Sequence, residues 1–477
     1  DAVAEIARSC DLVLCLPAGA RLHAHAADAL RRASAEREDA TLLYWDVEID
    51  APDGPAPLFF TPFDGERLLE QGQGCLAFAI AGGAPLAAAD YDSFFHLVLS
   101  LTRRARRGGV GHVPCVLCAL PPLDPAALTA TLRAAAGRRP TLEVCESATP
   151  FRLPALRIGR AAAMTTTAIL WGDWSDAESQ AAREALLRQD GGGVTHILHA
   201  EPDAPEFAAA AGAAPEAPER FPIHRDRKSA QSDRLGASSS SAASASWRDD
   251  APALSSRARR LNAAAASCGT DAVLFLGPGV LPGDSRGLAE LAGRLAAARV
   301  AAAGALLASA NGEILSAGLA LGPSGERVAL WRGWPMAARD PHDDLVVAHE
   351  APSLDLQAML VDRRRFSEIG GFDARRFPDE GADLDYCLRA RKAGYRALFT
   401  PHARWIATRS GAGVGESRRR GARADWVARR FRTIWTGYLQ DDAMHNPNLG
   451  RSAFPREALA IPPRSRVTRW VEAGGHD

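Results

Sequence analysis

Four carboxylates fall close together at Asp379, Glu380, Asp383 and Asp385, in the stretch FPDEGADLDYCLRARKAGYR. A carboxylate held ionised in a cleft can take a proton from a hydroxyl, so the chemistry on offer is general-base catalysis. The residues around it say how it would be held. Leu384, Cys387 and Leu388 stand at i, i+3 and i+4 and make one apolar helix face. Arg391 ends that face with a charge, and Gly394 is placed to close the helix as its C′ glycine. Tyr395–Thr400 reads as the next strand, closed by Pro401. Asp383 then falls at or just before a helix N-terminus, where free N–H groups and the helix dipole favour a negative charge by about 0.3–1 kcal/mol. Asp is also a preferred capping residue, so a plain N-cap role stays open beside the catalytic one. Just upstream, Gly370-Gly371 calls for a close backbone approach or for positive φ.

Other candidates carry less. In DAVLFLGPGVLPGD the apolar run Ala272–Leu276 stops at Gly277-Pro278-Gly279, where no side chain can ligate a metal. CVLC (Cys115 to Cys118) lacks the second pair that a zinc site needs, and on a strand its two thiols face opposite sides. HILH (His196 to His199) diverges in the same way. GGVGH at Gly108 precedes a strand rather than a helix, which is the wrong context for a phosphate loop.

These residues need a scaffold, and the chain is long enough to supply one. Its 477 residues are 47% hydrophobic, room for two or three domains. The formal net charge is −1, so nothing draws the chain to nucleic acid. No apolar run is long enough to span a bilayer. The eight cysteines are scattered, which suits a reducing cytoplasm better than a disulfide framework. The opening DAVAEIARSC reads as the end of a helix, so the chain is expected to start inside a domain.

Strand-like runs alternate with alanine-rich helical stretches over 1–140 and again over 160–415, which argues for an α/β layered fold with a mostly parallel sheet. The first strands are Asp11–Leu16, Ala40–Tyr44 and Val113–Leu120. The second set is Thr167–Trp171, Thr195–His199, Ala272–Leu276, Val300–Leu307 and Leu354–Val361. Between them, residues of about 203–254 are rich in Ser, Ala and Pro and read as a low-complexity insertion. The tail, 416–477, is arginine-rich, helical to Leu439 and then loop. DLVLCLPAGARL at Asp11 echoes DAVLFLGPGVLP at Asp271, which suggests two copies of one fold.

GGFD at Gly370, then ADLDYCLR and AGYR, resembles the inverting family-2 glycosyltransferases of GT-A fold. Val300–Gly333 resembles that family's strand and hairpin ahead of the acceptor region, and LQAMLVDRRRFSEIGGFD resembles its approach to the catalytic loop. IWTGYLQDDAMHNPNLG, LLYWDVEIDAPDG and FFTPFDGERLL are similar to parts of its tandem two-domain members that build O-antigen and related polysaccharides. The resemblance is strong over about 300–450 and weaker elsewhere. It implies two GT-A-like (Rossmann-like) copies with helices flanking the sheets, the first copy truncated. It also implies sugar transfer, with inversion, from a nucleotide-sugar donor to a polysaccharide or lipid-linked glycan. Asp383 would be the base, with substrate contacts at Glu380, Asp385, Gly370, Gly371 and Asp355, while Asp385 and Arg389 also hold the loop and helix in place.

The chain departs from the family pattern in several places. Ala382 stands where the family has Glu or Asn, and Ala407 where it has His. The acid expected to contact the nucleoside falls near His199-Ala200-Glu201. Members usually hold a divalent cation, Mn or Mg, on acids after the strand equivalent to Ala272–Leu276. Here that turn is Gly-Pro-Gly, and Pro17-Ala18-Gly19-Ala20 stands in the first copy. Two readings follow. One is a transferase that stabilises the diphosphate with arginines, such as Arg404, Arg409 or Arg418–Arg420. The other is a catalytically inactive module that binds a glycan or a partner enzyme in cell-surface polysaccharide assembly. Arginines beside Trp426, Val427, Phe431 and Ile434 also allow a helix lying on a membrane surface, so the location is cytoplasmic or peripheral at the inner membrane.

Overall fold

The structure is a computed structural model. It describes residues 5–471 except 201–255, 410–417, 451–458, 461–467 and short gaps at 7–8, 52–53, 83, 85, 87–92, 106–108, 137–140, 146–152, 154, 161, 191–193, 339, 341–342, 441 and 443. The low-complexity insertion, Glu201, and the side chains of Arg418–Arg420 therefore lie outside the described residues.

Two sheets flanked by helices carry the chain, as the α/β reading expects. The first runs Leu12–Cys15, Phe78–Ala81, Leu42–Ile49, Val110–Leu120, Arg21–Leu22. The second runs Val194–Ala200, Thr166–Trp171, Ala272–Leu276, Ala358–Asp362, Val300–Ser309, Arg396–Ala407, Val280–Pro282. Its last five strands repeat the first sheet. Along each path the neighbours pair antiparallel, antiparallel, parallel, antiparallel. The chain order repeats as well. In each copy a strand and a short strand lead to a helix (Ala26–Ala35; Gly287–Leu295) and a long strand. In each, a second helix (Phe94–Arg104; Ala382–Lys392) precedes the last long strand. The echo between Asp11 and Asp271 is the visible end of this repeat. Only the second copy adds the parallel strands Thr166–Trp171 and Val194–Ala200 and the helix Arg257–Ser267, among the described residues.

Both sheets are mixed rather than mostly parallel. Between Val300–Ser309 and Ala358–Asp362 the described residues make short strands and turns but no helix. Without a crossover helix, a strand returns antiparallel to its neighbours. The strand after Gly394 is also longer than its sequence suggests. It runs from Arg396 to Ala407, straight through Pro401. Ala305 pairs with Thr400 and Leu306 with Arg404, so the proline sits in a bulge, where its missing N–H breaks no ladder bond.

Buried apolar strands anchor the second copy. All five residues of Ala272–Leu276 are buried, as is Val300–Ala308. Small residues in VAAAGALLAS make room for what lies on them: a Cβ on Gly304 would come within 2.7 Å of Leu354.

The copies meet through the short helix Gly65–Gln71. Asp64 caps it, accepting the N–H groups of Glu66 and Arg67, and also accepts the Glu350 N–H from the second copy at 2.7 Å. Arg294, 1% exposed, reaches Glu66 at 3.0 Å, Glu70 at 2.6 Å and Glu290 at 2.8 Å. The tail returns to the first copy. Asn446 and Asn448 donate to the buried carboxylate of Asp46, and Arg469–Val471, in the stretch read as loop, pairs with Val110–His112.

Candidate functional site

Asp383 lies in the first turn of the helix Ala382–Lys392, and the N-cap is Gly381 in a left-handed conformation. The capping role is therefore not the one Asp383 plays. A Cβ at position 381 would sit 2.8 Å from Phe431, so both φ and space demand glycine there. With the cap position taken, the Asp383 side chain turns toward the Leu319–Leu321/Arg327–Ala329 hairpin. Its Oδ2 accepts from Arg327 Nη2 at 2.9 Å, and its Oδ1 accepts from the Leu384 N–H at 2.9 Å. Arg327 also lies 3.3 Å from Asp355 Oδ1. Burial works against the guanidinium's charge, but Asp383, Asp355 and Glu380 outweigh it and hold its pKa above the usual arginine range. Three sequence-predicted residues, Asp383, Asp355 and Glu380, thus converge on one arginine that the sequence reading did not single out.

Asp385, Gly370 and Gly371 do something different. Asp385 is 1% exposed and accepts from Arg389 Nε at 2.7 Å and Trp435 Nε1 at 3.0 Å. Burial raises its pKa, against the pull of Arg389. Arg389 spends its remaining donors on the Ile369 and Gly371 carbonyls, at 2.9 and 2.6 Å. The glycine pair has φ of +87° and +61°, as its sequence suggests. A Cβ on Gly371 would strike Asn262 Oδ1 at 2.6 Å. Asn262 in turn bonds both the N–H and the carbonyl of Phe372. These residues fix the loop that carries the carboxylates.

The Gly277-Pro278-Gly279 turn ends the strand Ala272–Leu276, and its composition follows from what presses on it. A Cβ on Gly277 would overlap the Gln357 side chain at 1.6 Å, and Gly279 has φ +68° against Thr408 and Arg409. Gly172, with φ +86°, gives Pro278 its space. Leu276 pairs with Ala358, so Asp355 and Gln357 lie beside this same turn. The turn is filled by packing, where acids could have stood.

Next to it is a cavity of about 190 Å³ that the sequence reading missed, at the carboxyl ends of Thr166–Trp171 and Val194–Ala200. Trp171, Asp173, Arg257 and Arg260 line it, with the Arg257 guanidinium 4.8 Å from the centre of the Trp171 ring. Crevices at strand ends are where open α/β sheets bind ligands. Two hydrogen bonds tie the cavity's lining to the elements that carry the charged group. Trp171 Nε1 donates to the Leu356 carbonyl at 3.2 Å, one residue from Asp355, and the Arg257 N–H donates to Asp379 at 3.1 Å. The signal in the sequence was a lone Trp-Gly-Asp after a strand, too common to single out.

The divalent metal implied by the resemblance does not fit these residues. Among the described residues no group of three His, Cys, Asp or Glu side chains is placed to hold one. Asp355 and Asp383 share Arg327 instead. Of the arginines expected to replace the metal, Arg409 is paired with Glu178, and Arg404 is exposed on its strand. Helix Arg418–Ile434 turns Val427 and Phe431 into the core, beside Trp435, so its apolar side is already covered. No described helix is long and apolar enough to cross a membrane.

No family model and no curated protein sequence matches the chain. Among solved structures, it is similar to GalNAc-T7 with UDP, GalNAc and Mn2+, at 10% identity and TM-score 0.37 over 58% of this chain and 50% of that one. It is also similar to the mannosyltransferase PcManGT from Pyrobaculum calidifontis in complex with GDP-Man and Mn2+, at 14% identity and TM-score 0.31 over 68% of this chain and 79% of that one. The chain thus spans half the length of the first of these. Both likenesses are loose, and the functional reading rests on this chain's own residues.

Proposed function

We propose that the chain is a GT-A-like glycosyltransferase that moves a sugar from a nucleotide-sugar donor to a polysaccharide or lipid-linked glycan, with inversion and without a metal. The observation that carries this reading is the cavity lined by Trp171, Arg257 and Arg260, whose lining is hydrogen-bonded to Leu356 and Asp379, next in sequence to Asp355 and Glu380. An aromatic ring and two arginines suit a nucleoside diphosphate, and a base lies one connection away. The nucleoside stacks on Trp171. Arg257, Arg260 and Arg327 face the diphosphate, where negative charge grows as the bond to the anomeric carbon breaks. Asp383 takes the proton of the acceptor hydroxyl as that oxygen forms the new bond on the opposite face of the sugar. The electron pair of the broken bond leaves with the nucleoside diphosphate. Arg327 thus serves two anions in turn, the carboxylate before reaction and the leaving group during it.

The organisation that goes with this reading is a second copy, 160–415, that binds the donor, a first copy, 1–140, without counterparts of Thr166–Trp171 and Val194–Ala200 among the described residues, and a tail, 416–477, that ties back to the first. The deciding experiment is calorimetric titration with UDP, GDP and dTDP, with and without manganese. Binding indifferent to manganese supports the proposal. Binding that requires manganese sinks its metal-free part.

One observation favours a second reading, a catalytically inactive glycan-binding module. Asp383 is only 5% exposed, and both of its oxygens are already engaged. Failure of all three nucleotides to bind would leave that reading standing.

A further inference from the structure

The two copies differ at one strand edge. Leu12–Cys15 and Ala272–Leu276 hold the same place in their sheets. Leu12 pairs with Ala81 as Ala272 pairs with Asp362, both antiparallel. The residue after each partner, Gly82 or Arg363, donates its N–H to the carbonyl of Asp11 or Asp271, at 2.8 and 3.0 Å. The registers match residue for residue, so Asp11 corresponds to Asp271 and Leu14 to Leu274. On its other side Ala272–Leu276 takes the parallel strand Thr166–Trp171. Leu12–Cys15 ends its sheet, with no second neighbour among the described residues.

Three features mark that open edge as a place for a strand. Leu14 is 39% exposed, whereas Leu274, opposite Ala168, is fully buried. The Ala272 N–H donates to the Thr165 carbonyl at 3.0 Å, so the matching N–H of Leu12, and by alternation that of Leu14, points to the open edge. The third feature is a carboxylate. Asp271 Oδ2 accepts the N–H of Thr165 at 3.0 Å and its hydroxyl at 2.7 Å, and the Asp271 N–H donates to the same hydroxyl at 3.0 Å. These bonds fasten the start of the covering strand. Asp11 is exposed, and its carboxylate has no partner among the described residues. Proteins guard exposed edges with charge or proline, and Leu12–Leu16 contains neither.

The second copy also shows what fits. A matching strand enters beside Asp11 with Ser or Thr, runs parallel, and brings apolar residues against Leu12–Leu16. The strand of that kind in this chain, Thr166–Trp171, is paired on both sides, with Ala272–Leu276 and Val194–Ala200. A second copy of the chain therefore has none to lend without breaking its own sheet. Two copies meeting at this edge about a two-fold axis would pair antiparallel. DLVLCL would then offer Asp11 no hydroxyl, because it contains neither Ser nor Thr.

We infer that the open edge of Leu12–Cys15 docks a strand of a partner polypeptide, parallel to it and led by a Ser or Thr whose hydroxyl and N–H meet Asp11. The docking site is independent of whether the chain transfers sugar. Strand addition draws affinity from main-chain hydrogen bonds and specificity from the side chains that meet. The test uses the full chain and the peptide TTTAILW, the sequence of Thr165–Trp171, with a C-terminal lysine tail for solubility. Hydrogen exchange read by mass spectrometry follows the amides of Leu12–Leu16. In the chain alone the edge is expected to exchange fast. The peptide is expected to slow it about tenfold and to leave Ala272–Leu276 unchanged. Replacing the peptide's first Thr with Val, or Asp11→Ala in the chain, should each weaken binding about tenfold, and the two together little more than either alone. Leu14→Lys, at an exposed position, puts a charge on the edge and should abolish the slowing. An edge already protected in the chain alone, no slowing by the peptide, equal slowing by a shuffled peptide, or slowing that Asp11→Ala or Leu14→Lys leaves intact would overturn the inference.

Discussion

Arg327 Nη2 lies 2.9 Å from Asp383 Oδ2, in a side chain that is 31% exposed while its partner is 6% exposed. The pair brings a base and a cation to the same few ångströms, and displacement at an anomeric carbon uses both. Asp383→Asn keeps the shape and removes the base. The expected loss in nucleoside-diphosphate release is about 10²–10⁴-fold, the usual contribution of a general base. Stability should fall by no more than about 1 kcal/mol, because Arg327 is partly solvated and keeps Asp355. Unchanged release in a folded variant would remove Asp383 from the mechanism.

The Trp171 cavity makes a separate claim. Stacking of a base on an aromatic ring contributes about 1–3 kcal/mol, so Trp171→Ala should weaken UDP, GDP or dTDP binding roughly 5- to 150-fold. Arg257→Ala should weaken the same nucleotide further than it weakens the free nucleoside, since the guanidinium addresses charge. Equal losses for nucleotide and nucleoside, read by calorimetry, would show that Arg257 does not face the diphosphate.

The elements that could be read from the sequence are those whose pattern is local. The glycine pair at Gly370, the helix after it and the strand Ala272–Leu276 follow from spacing and turn chemistry alone. The echo between Asp11 and Asp271 pointed to a repeat whose full extent needed strand order to see. What stayed hidden is long-range. Nothing near Arg327 marks it as the partner of Asp383, 56 positions away, because hairpin and helix meet only through tertiary packing. The antiparallel placement of Ala358–Asp362 was hidden for the same reason: periodicity reports a strand but not its direction. Pro401 misled because a proline ends most strands, and here a bulge absorbs it.

Asp385 lies two residues from Asp383 and differs from it in kind. Its carboxylate is sealed by Arg389 and Trp435, and Arg389 also holds the Gly370-Gly371 turn. Removing one partner of a buried pair typically destabilises by about 3–5 kcal/mol. Asp385→Asn should lower the unfolding free energy by an amount of that order, and Trp435→Phe by about 1–3 kcal/mol for one lost buried bond. Nucleotide affinity of the folded fraction should stay within twofold. A large affinity loss at unchanged stability would instead put Asp385 in contact with substrate.

Glu66 links the two copies to pH. It is 2% exposed in its side chain and sits among Arg160, Arg294 and Arg396, at 2.9, 3.0 and 3.8 Å. Burial alone would raise its pKa. The arginines outweigh burial and lower it to about 2, from an ordinary value of 4.5. A carboxylate whose folded pKa is depressed stabilises the fold fully above its unfolded pKa and loses that contribution as pH falls through the folded one. The window is therefore pH 4.5 down to 2, and the difference of about 2.5 units corresponds to about 3 kcal/mol. Glu70 and Glu290 share Arg294 and shift in the same direction, so their loss adds to the acid limb. Glu66→Gln should destabilise the protein at pH 7 by about 3–5 kcal/mol, because Arg294 and Arg160 lose a buried counter-charge. It should also flatten the fall in stability between pH 4.5 and 2, since the group that titrated there is gone. Chemical denaturation across that range reads both effects, and a variant whose acid limb is as steep as the wild type's would mean that Glu66 does not carry the coupling between the copies.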